Sequence, residues 1–211
     1  GVEGDFTVAA EAPSLEFALF PNQWEGARLW SAWGDSVWAD GKFYAAIGDH
    51  DTPHGTAYVY RTDPETGLVD LIVDFGRATG AVKGRYAPGK IHAPICDGGD
   101  GWLYIAGYYG SSRGTTKEVG FQGDHLLRYS IESGKFEDLG ILVPNGSIPE
   151  MIEHRGRKML YGLVAPGKTM PEPRAPFYAY DYGERKLVFH GGPETRMRRS
   201  VIVSRDGRAW Y

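Results

Sequence analysis

The side chains best suited to acid–base work lie between residues 90 and 113. His92 follows Lys90 by two positions, Tyr108 and Tyr109 are adjacent, and Arg113 stands four residues further on. An imidazole titrates near neutral pH, so it can act as a general acid or offset a developing charge. A tyrosine oxygen can take a proton from a carbon beside a carboxylate while a cationic group holds that carboxylate. His92, Tyr109 and Arg113 are therefore the candidate catalytic set, with Lys90 and Tyr108 as candidate substrate contacts. Each also has a plain structural use. A histidine can bond to neighbouring backbone in a turn, and a tyrosine pair can pack a sheet edge in a chain with 13 tyrosines.

Other groups carry weaker signals. The run Asp49-His50-Asp51-Thr52-Pro53-His54 offers His50, Asp51 and His54 to a divalent metal, but its spacing matches no ligand signature and a polar turn accounts for it. His125 follows Gly123-Asp124 as His50 follows Gly48-Asp49; it is a candidate substrate contact or simple repeat symmetry. Arg196 and Arg198, with Arg199, suit an anionic ligand and equally suit a solvated basic turn. Of the tryptophans Trp24, Trp30, Trp33 and Trp38, the third and fourth fit a core, and Trp24 stays a candidate sugar-stacking residue. The sequence has no nucleophile elbow, phosphate-binding loop, dinucleotide fingerprint or haem-attachment site. No cofactor is expected beyond that candidate metal.

Composition narrows the partners. The net charge is −4 and no basic stretch suits a phosphate backbone, so nucleic acid is not expected. No apolar run approaches the ~20 residues of a membrane-spanning helix. Cys96 is the only cysteine, which rules out an internal disulfide and a multi-cysteine zinc site. Residues 1–5 do not open a signal peptide, and one already removed is compatible with the chain.

The elements that must position these groups repeat. Asp40-Gly41-Lys42-Phe43-Tyr44 returns as Asp100-Gly101-Trp102-Leu103-Tyr104, as the degraded Arg157-Lys158-Met159-Leu160-Tyr161, and as Asp206-Gly207-Arg208-Ala209-Trp210. A second unit recurs in phase: an alternating strand running into a polar hairpin turn, at Tyr58-Val59-Tyr60, Leu127-Arg128-Tyr129 and Tyr178-Ala179-Tyr180. A short apolar strand precedes each Asp-Gly turn, at 31–38, 93–96, 149–153 and 200–203, and a fourth strand follows each hairpin, at 68–75, 136–143 and 186–190. Each unit is a four-stranded meander, and such units in series define a β-propeller.

The expected fold is thus all-β: a propeller of four-stranded antiparallel blades at about 31–75, 92–143 and 148–190, with the start of a fourth at 198–211. Residues 1–29 fall outside the unit as a tail or cap, where only 13–19 could form a short helix. Insertions at 79–89, 111–123 and 167–174 lengthen the connections. Because propellers close with ~4–8 blades, three and a stub are expected to belong to a larger ring or to meet a partner subunit.

The runs Lys90-Ile91-His92-Ala93-Pro94-Ile95-Cys96-Asp97, Asp100-Gly101-Trp102-Leu103-Tyr104-Ile105 and Gly123-Asp124-His125-Leu126-Leu127-Arg128-Tyr129, with Asp138-Leu139-Gly140, resemble secreted bacterial propellers of the kelch and BNR-repeat kind. They are distantly similar to propellers that act as polysaccharide lyases on uronic-acid polymers. The resemblance implies a periplasmic or extracellular protein with a carbohydrate-facing pocket for an anionic glycan, and a lyase activity. Two features depart from it. Residues 107–112 hold no second histidine, and the close histidine cluster of manganese-binding lyase propellers is missing. The competing expectation is a non-catalytic scaffold or subunit that binds another protein chain.

Overall fold

The computed structural model describes residues 10–14, 17–21, 29–32, 36–49, 56–82, 84–110, 115–167, 176–192 and 200–211. They form a β-propeller of antiparallel sheets. The first blade orders β3 (Lys42–Asp49), β4 (Ala57–Thr62) and β5 (Val69–Asp74), with β1 (Leu29–Ser31) and β2 (Val37–Ala39) both paired to the inner side of β3. The second runs β6 (Cys96–Asp97), β7 (Trp102–Ala106), β8 (His125–Ser130), β9 (Phe136–Ile141). The third runs β10 (Gly146–His154), β11 (Met159–Pro166), β12 (Phe177–Asp181), β13 (Lys186–Gly191). A two-stranded ribbon, β14 (Ile202–Val203) and β15 (Ala209–Trp210), follows.

Strand alternation builds the core between blades, because successive side chains point to opposite sheet faces. In the second blade Leu103, Ile105, Leu127 and Tyr129 face the first blade and pack with Tyr44, Val59, Val73 and Phe75. Their neighbours Tyr104, Ala106 and Leu126 face the third blade and pack with Met151, Leu160, Val164 and Tyr178. The third blade's other face, through Leu163 and Phe177, meets Val201 beside the ribbon. Polar bonds add register: the Tyr182 hydroxyl donates to the Gly98 carbonyl at 2.7 Å, and Arg155 pairs with Asp97 at 3.0 Å.

The repeated turns take the conformations their residues allow. Asp40 and Gly41 both have positive φ, at 48° and 71°, the pattern of a tight hairpin whose twist matches its strands. The degraded third copy lacks Asp-Gly and closes through a 3-10 turn, Arg155–Arg157, capped by the His154 ring, with Lys158 left-handed.

Several details differ from the sequence expectation, among them Trp38, expected in the core and exposed on β2. Among the described residues the α-helix is α1 (Phe75–Ala78), and those of the 13–19 segment are not helical. Asp74 caps α1 by accepting the Arg77 N–H at 3.1 Å, which ends β5 before Phe75. The inner strand expected at 31–38 is divided into β1 and β2, and that at 93–96 shrinks to β6, supplemented by a bridge between Lys90 and Tyr108. Pro94 contributes no N–H to a ladder, consistent with pairing that starts at Cys96. Phe20 stacks on Tyr60 with centroids 4.4 Å apart, so the described end of the 1–29 segment packs on the first blade.

Candidate functional site

The candidate site is assembled where the connection into the second blade passes the end of β7. Gly48, Gly89 and Gly110 meet backbone to backbone there; a Cβ on any of them would strike the neighbouring chain. That close approach brings residues 89–92 against 108–110. The Lys90–Tyr108 bridge, with N–H to O distances of 3.1 and 2.9 Å, fixes the register.

Four side chains named from the sequence are brought together. The Lys90 ammonium lies 4.9 Å from the Tyr108 ring centroid. The His92 ring is 5.1 Å from Tyr108, and Tyr108 is 4.2 Å from Tyr109. Lys90 and Tyr108 are buried, whereas His92 and Tyr109 are half-buried and form the accessible part. His92 Nδ1 is 2.8 Å from the Pro149 carbonyl in β10, across the blade junction. A carbonyl only accepts, so Nδ1 carries the proton there. The arrangement is an aromatic ledge with a cation beneath it and an imidazole at its edge, able to stack on a sugar face and to offset negative charge.

His125 goes elsewhere. It borders a cavity of about 230 Å³ between the 79–89 insertion and residues 120–123, with Arg85 and Gln122 among the lining residues. Its Nδ1 is held by Asp138 at 2.8 Å. Neither His92 nor Tyr109 lines that cavity. Arg113, Arg196, Arg198, Trp24, His50, Asp51 and His54 lie outside the described residues. Among the described residues, no group of three or more His, Cys, Asp or Glu is placed to hold a metal.

Sequence reasoning missed a buried carboxylate beside this region. Asp124, only 1% exposed, accepts from the Tyr86 hydroxyl at 2.5 Å and from the Ser147 hydroxyl. Burial pushes its pKa up from 3.8 to about 6, although both hydroxyls and the His125 charge pull it down. Burial, then the Asp124 charge, drives the Tyr86 phenol well above its usual range. Asp124 thereby ties the 79–89 insertion, β8 and β10 together.

The architecture defines a β-propeller, and structural likeness agrees. The chain is similar to the β-propeller domain of the trilobed protease from Pyrococcus furiosus, which has an open velcro topology, with TM-score 0.50 and 9% identity over 86% of this chain. It spans about half, 48%, of that structure. Further similar structures are the RRP9 WD40 repeats, at TM-score 0.49 and 12% identity over 79% of this chain and 40% of theirs, and a manganese-bound oligogalacturonate lyase, at 0.44 and 10% over 79% and 42%. No family model matches the sequence, and no curated protein matches it.

Proposed function

We propose that this propeller binds an anionic, uronic-acid-containing glycan on the His92–Tyr109 ledge and cleaves it by β-elimination. The observation that carries the reading is the contiguous contact of Lys90, Tyr108, Tyr109 and His92. It supplies a stacking surface, a positive field and two acid–base groups within one patch. In the step envisaged, Tyr109 as the phenolate takes the proton from the carbon beside the sugar carboxylate and becomes the phenol. The electron pair left there forms a carbon–carbon double bond as the bond to the leaving oxygen breaks. His92 as the imidazolium, with Nδ1 held by the Pro149 carbonyl, gives its Nε2 proton to that oxygen, and Arg113 is the sequence candidate for holding the carboxylate. The products are an unsaturated uronate and a free hydroxyl end, and the setting is periplasmic or extracellular.

The test is incubation with polygalacturonate and alginate while watching ultraviolet absorbance of the unsaturated product. Product formation that falls in both Tyr109→Phe and His92→Gln supports the reading. No product from any uronate polymer, together with no retardation in an affinity gel containing them, refutes it.

A second reading, a non-catalytic subunit, is favoured by one observation. Val188, Phe189, Ile202 and Trp210 are 46, 50, 66 and 52% exposed along the third blade's outer strand and the ribbon. Exposed apolar side chains on these two elements suit contact with another protein chain. Light scattering of wild type against Ile202→Lys separates the readings, since only a protein interface would lose mass on substitution.

A further inference from the structure

We infer that the cavity beside His125 is a separate binding site for a small hydroxylated carboxylic acid of monosaccharide size. Its volume of about 230 Å³ is below the roughly 300–1,000 Å³ of drug-sized pockets, which suits one small ring and not a stretch of polymer. Val82, Pro88 and Ile141 supply apolar lining, and Arg85, Gln122 and His125 supply polar lining, with Ile141 the cross-strand partner of His125.

The polar side is prepared for such a ligand. Asp138 can only accept, so at His125 it selects the tautomer with the proton on Nδ1 and leaves Nε2 as an acceptor for a hydroxyl. The Arg85 guanidinium donates to the Glu118 carbonyl at 3.2 Å and brings a cation to the cavity lining, which favours a ligand that carries negative charge. Gln122 offers an amide to a further hydroxyl, while the C–H face of the ligand rests on Ile141 and Val82.

The rim is also braced. The Tyr86 N–H donates to the Val119 carbonyl at 2.8 Å, its ring meets Phe121 edge-on at 4.6 Å, and its hydroxyl is fixed by Asp124. Both insertions that frame the cavity lie outside the four-strand repeat, and long connections of this kind in compact domains are usually functional. A rim held before binding loses less entropy on binding. The site contains none of Lys90, His92, Tyr108 or Tyr109, so it stands independently of the ledge and its chemistry.

The test titrates the 211-residue chain with D-glucuronate and with D-glucose, following histidine side-chain resonances and heat. Glucuronate should bind saturably, roughly tenfold or more tighter than glucose, the worth of one charge-assisted hydrogen bond. The His125 resonances should move and should saturate at a lower glucuronate concentration than any movement of those of His92. Arg85→Gln should lose that preference, and Gln122→Trp, an exposed position where the indole would fill the cavity, should abolish binding. The inference is overturned by absent saturation, by equal affinity for the two sugars, by a response centred on His92, or by unchanged binding in a folded Arg85→Gln protein.

Discussion

Asp124 makes a quantitative claim about pH. Its carboxyl has a pKa of about 6 in the folded protein against 3.8 as the ordinary value, with burial as the leading cause. Below about pH 4 it is protonated in both folded and unfolded chains and costs nothing. Between those values the folded chain holds the proton while the unfolded chain releases it. Above about pH 6 both are ionised, and the folded state carries the full burial penalty. The stability owed to the protonated form is therefore present at low pH and lost as pH rises through 6. The gap corresponds to about 3 kcal/mol. Asp124→Asn removes the titration and keeps the shape. The amide oxygen can accept from Tyr86, and the amide nitrogen can donate to a turned Ser147 hydroxyl.

Urea unfolding of both proteins at intervals from pH 4 to 7 isolates the effect, because all other titrations are common to both and cancel in the difference. The variant should gain on the wild type with pH, by about 2.4 kcal/mol from pH 4 to 7, with most of the change between pH 4 and 6. A wild-type minus variant difference that stays flat over that range refutes the reasoning. So does a difference that runs the other way, since the carboxylate would then be stabilised by its two hydroxyl partners more than it is penalised by burial.

Two tyrosines in one interblade cluster should respond oppositely. The Tyr178 hydroxyl is buried with no hydrogen-bond partner among the described residues, so Tyr178→Phe should leave stability unchanged or raise it by about 1 kcal/mol in denaturant unfolding. Tyr182→Phe, which strands the Gly98 carbonyl, should cost about 1–2 kcal/mol by the same measurement. Gly123→Ala should cost about 1–3 kcal/mol, because φ is +127° and the new Cβ would sit 2.7 Å from Ile141 Cγ2 and 3.0 Å from the Val143 carbonyl. Tyr109→Phe should cut any uronate-lyase rate by about a hundredfold or more, with little change in melting temperature, as expected for a general base.

The propeller was legible because its signals are local. An Asp-Gly turn states its own backbone geometry at residues 40–41, and alternation within Leu103, Tyr104, Ile105 and Ala106 sorts side chains between two blade faces without reference to the rest of the chain. Where the local signal faded, the reading slipped. Nothing adjacent to Phe75 announces a helix except the Asp74 cap, which reads equally well as a strand end.

The candidate site was legible to the extent that chain neighbours determine it. Lys90 and His92 are near in sequence, as are Tyr108 and Tyr109, so only one long-range fact, the glycine junction, was needed to join the pairs. Asp124 required more. Its partners Tyr86 and Ser147 lie 38 and 23 residues away on different elements. A trace was present: Gly-Asp precedes histidine in both the first and the second blade, and both aspartates, Asp49 and Asp124, are buried. Burial alone does not make the two equivalent. Asp124 is set apart by a tyrosine carried on an insertion that the repeat does not contain. Function in this fold is therefore best sought where an insertion reaches back to a repeat position, since the repeat supplies the rigid anchor and the insertion supplies what differs from blade to blade.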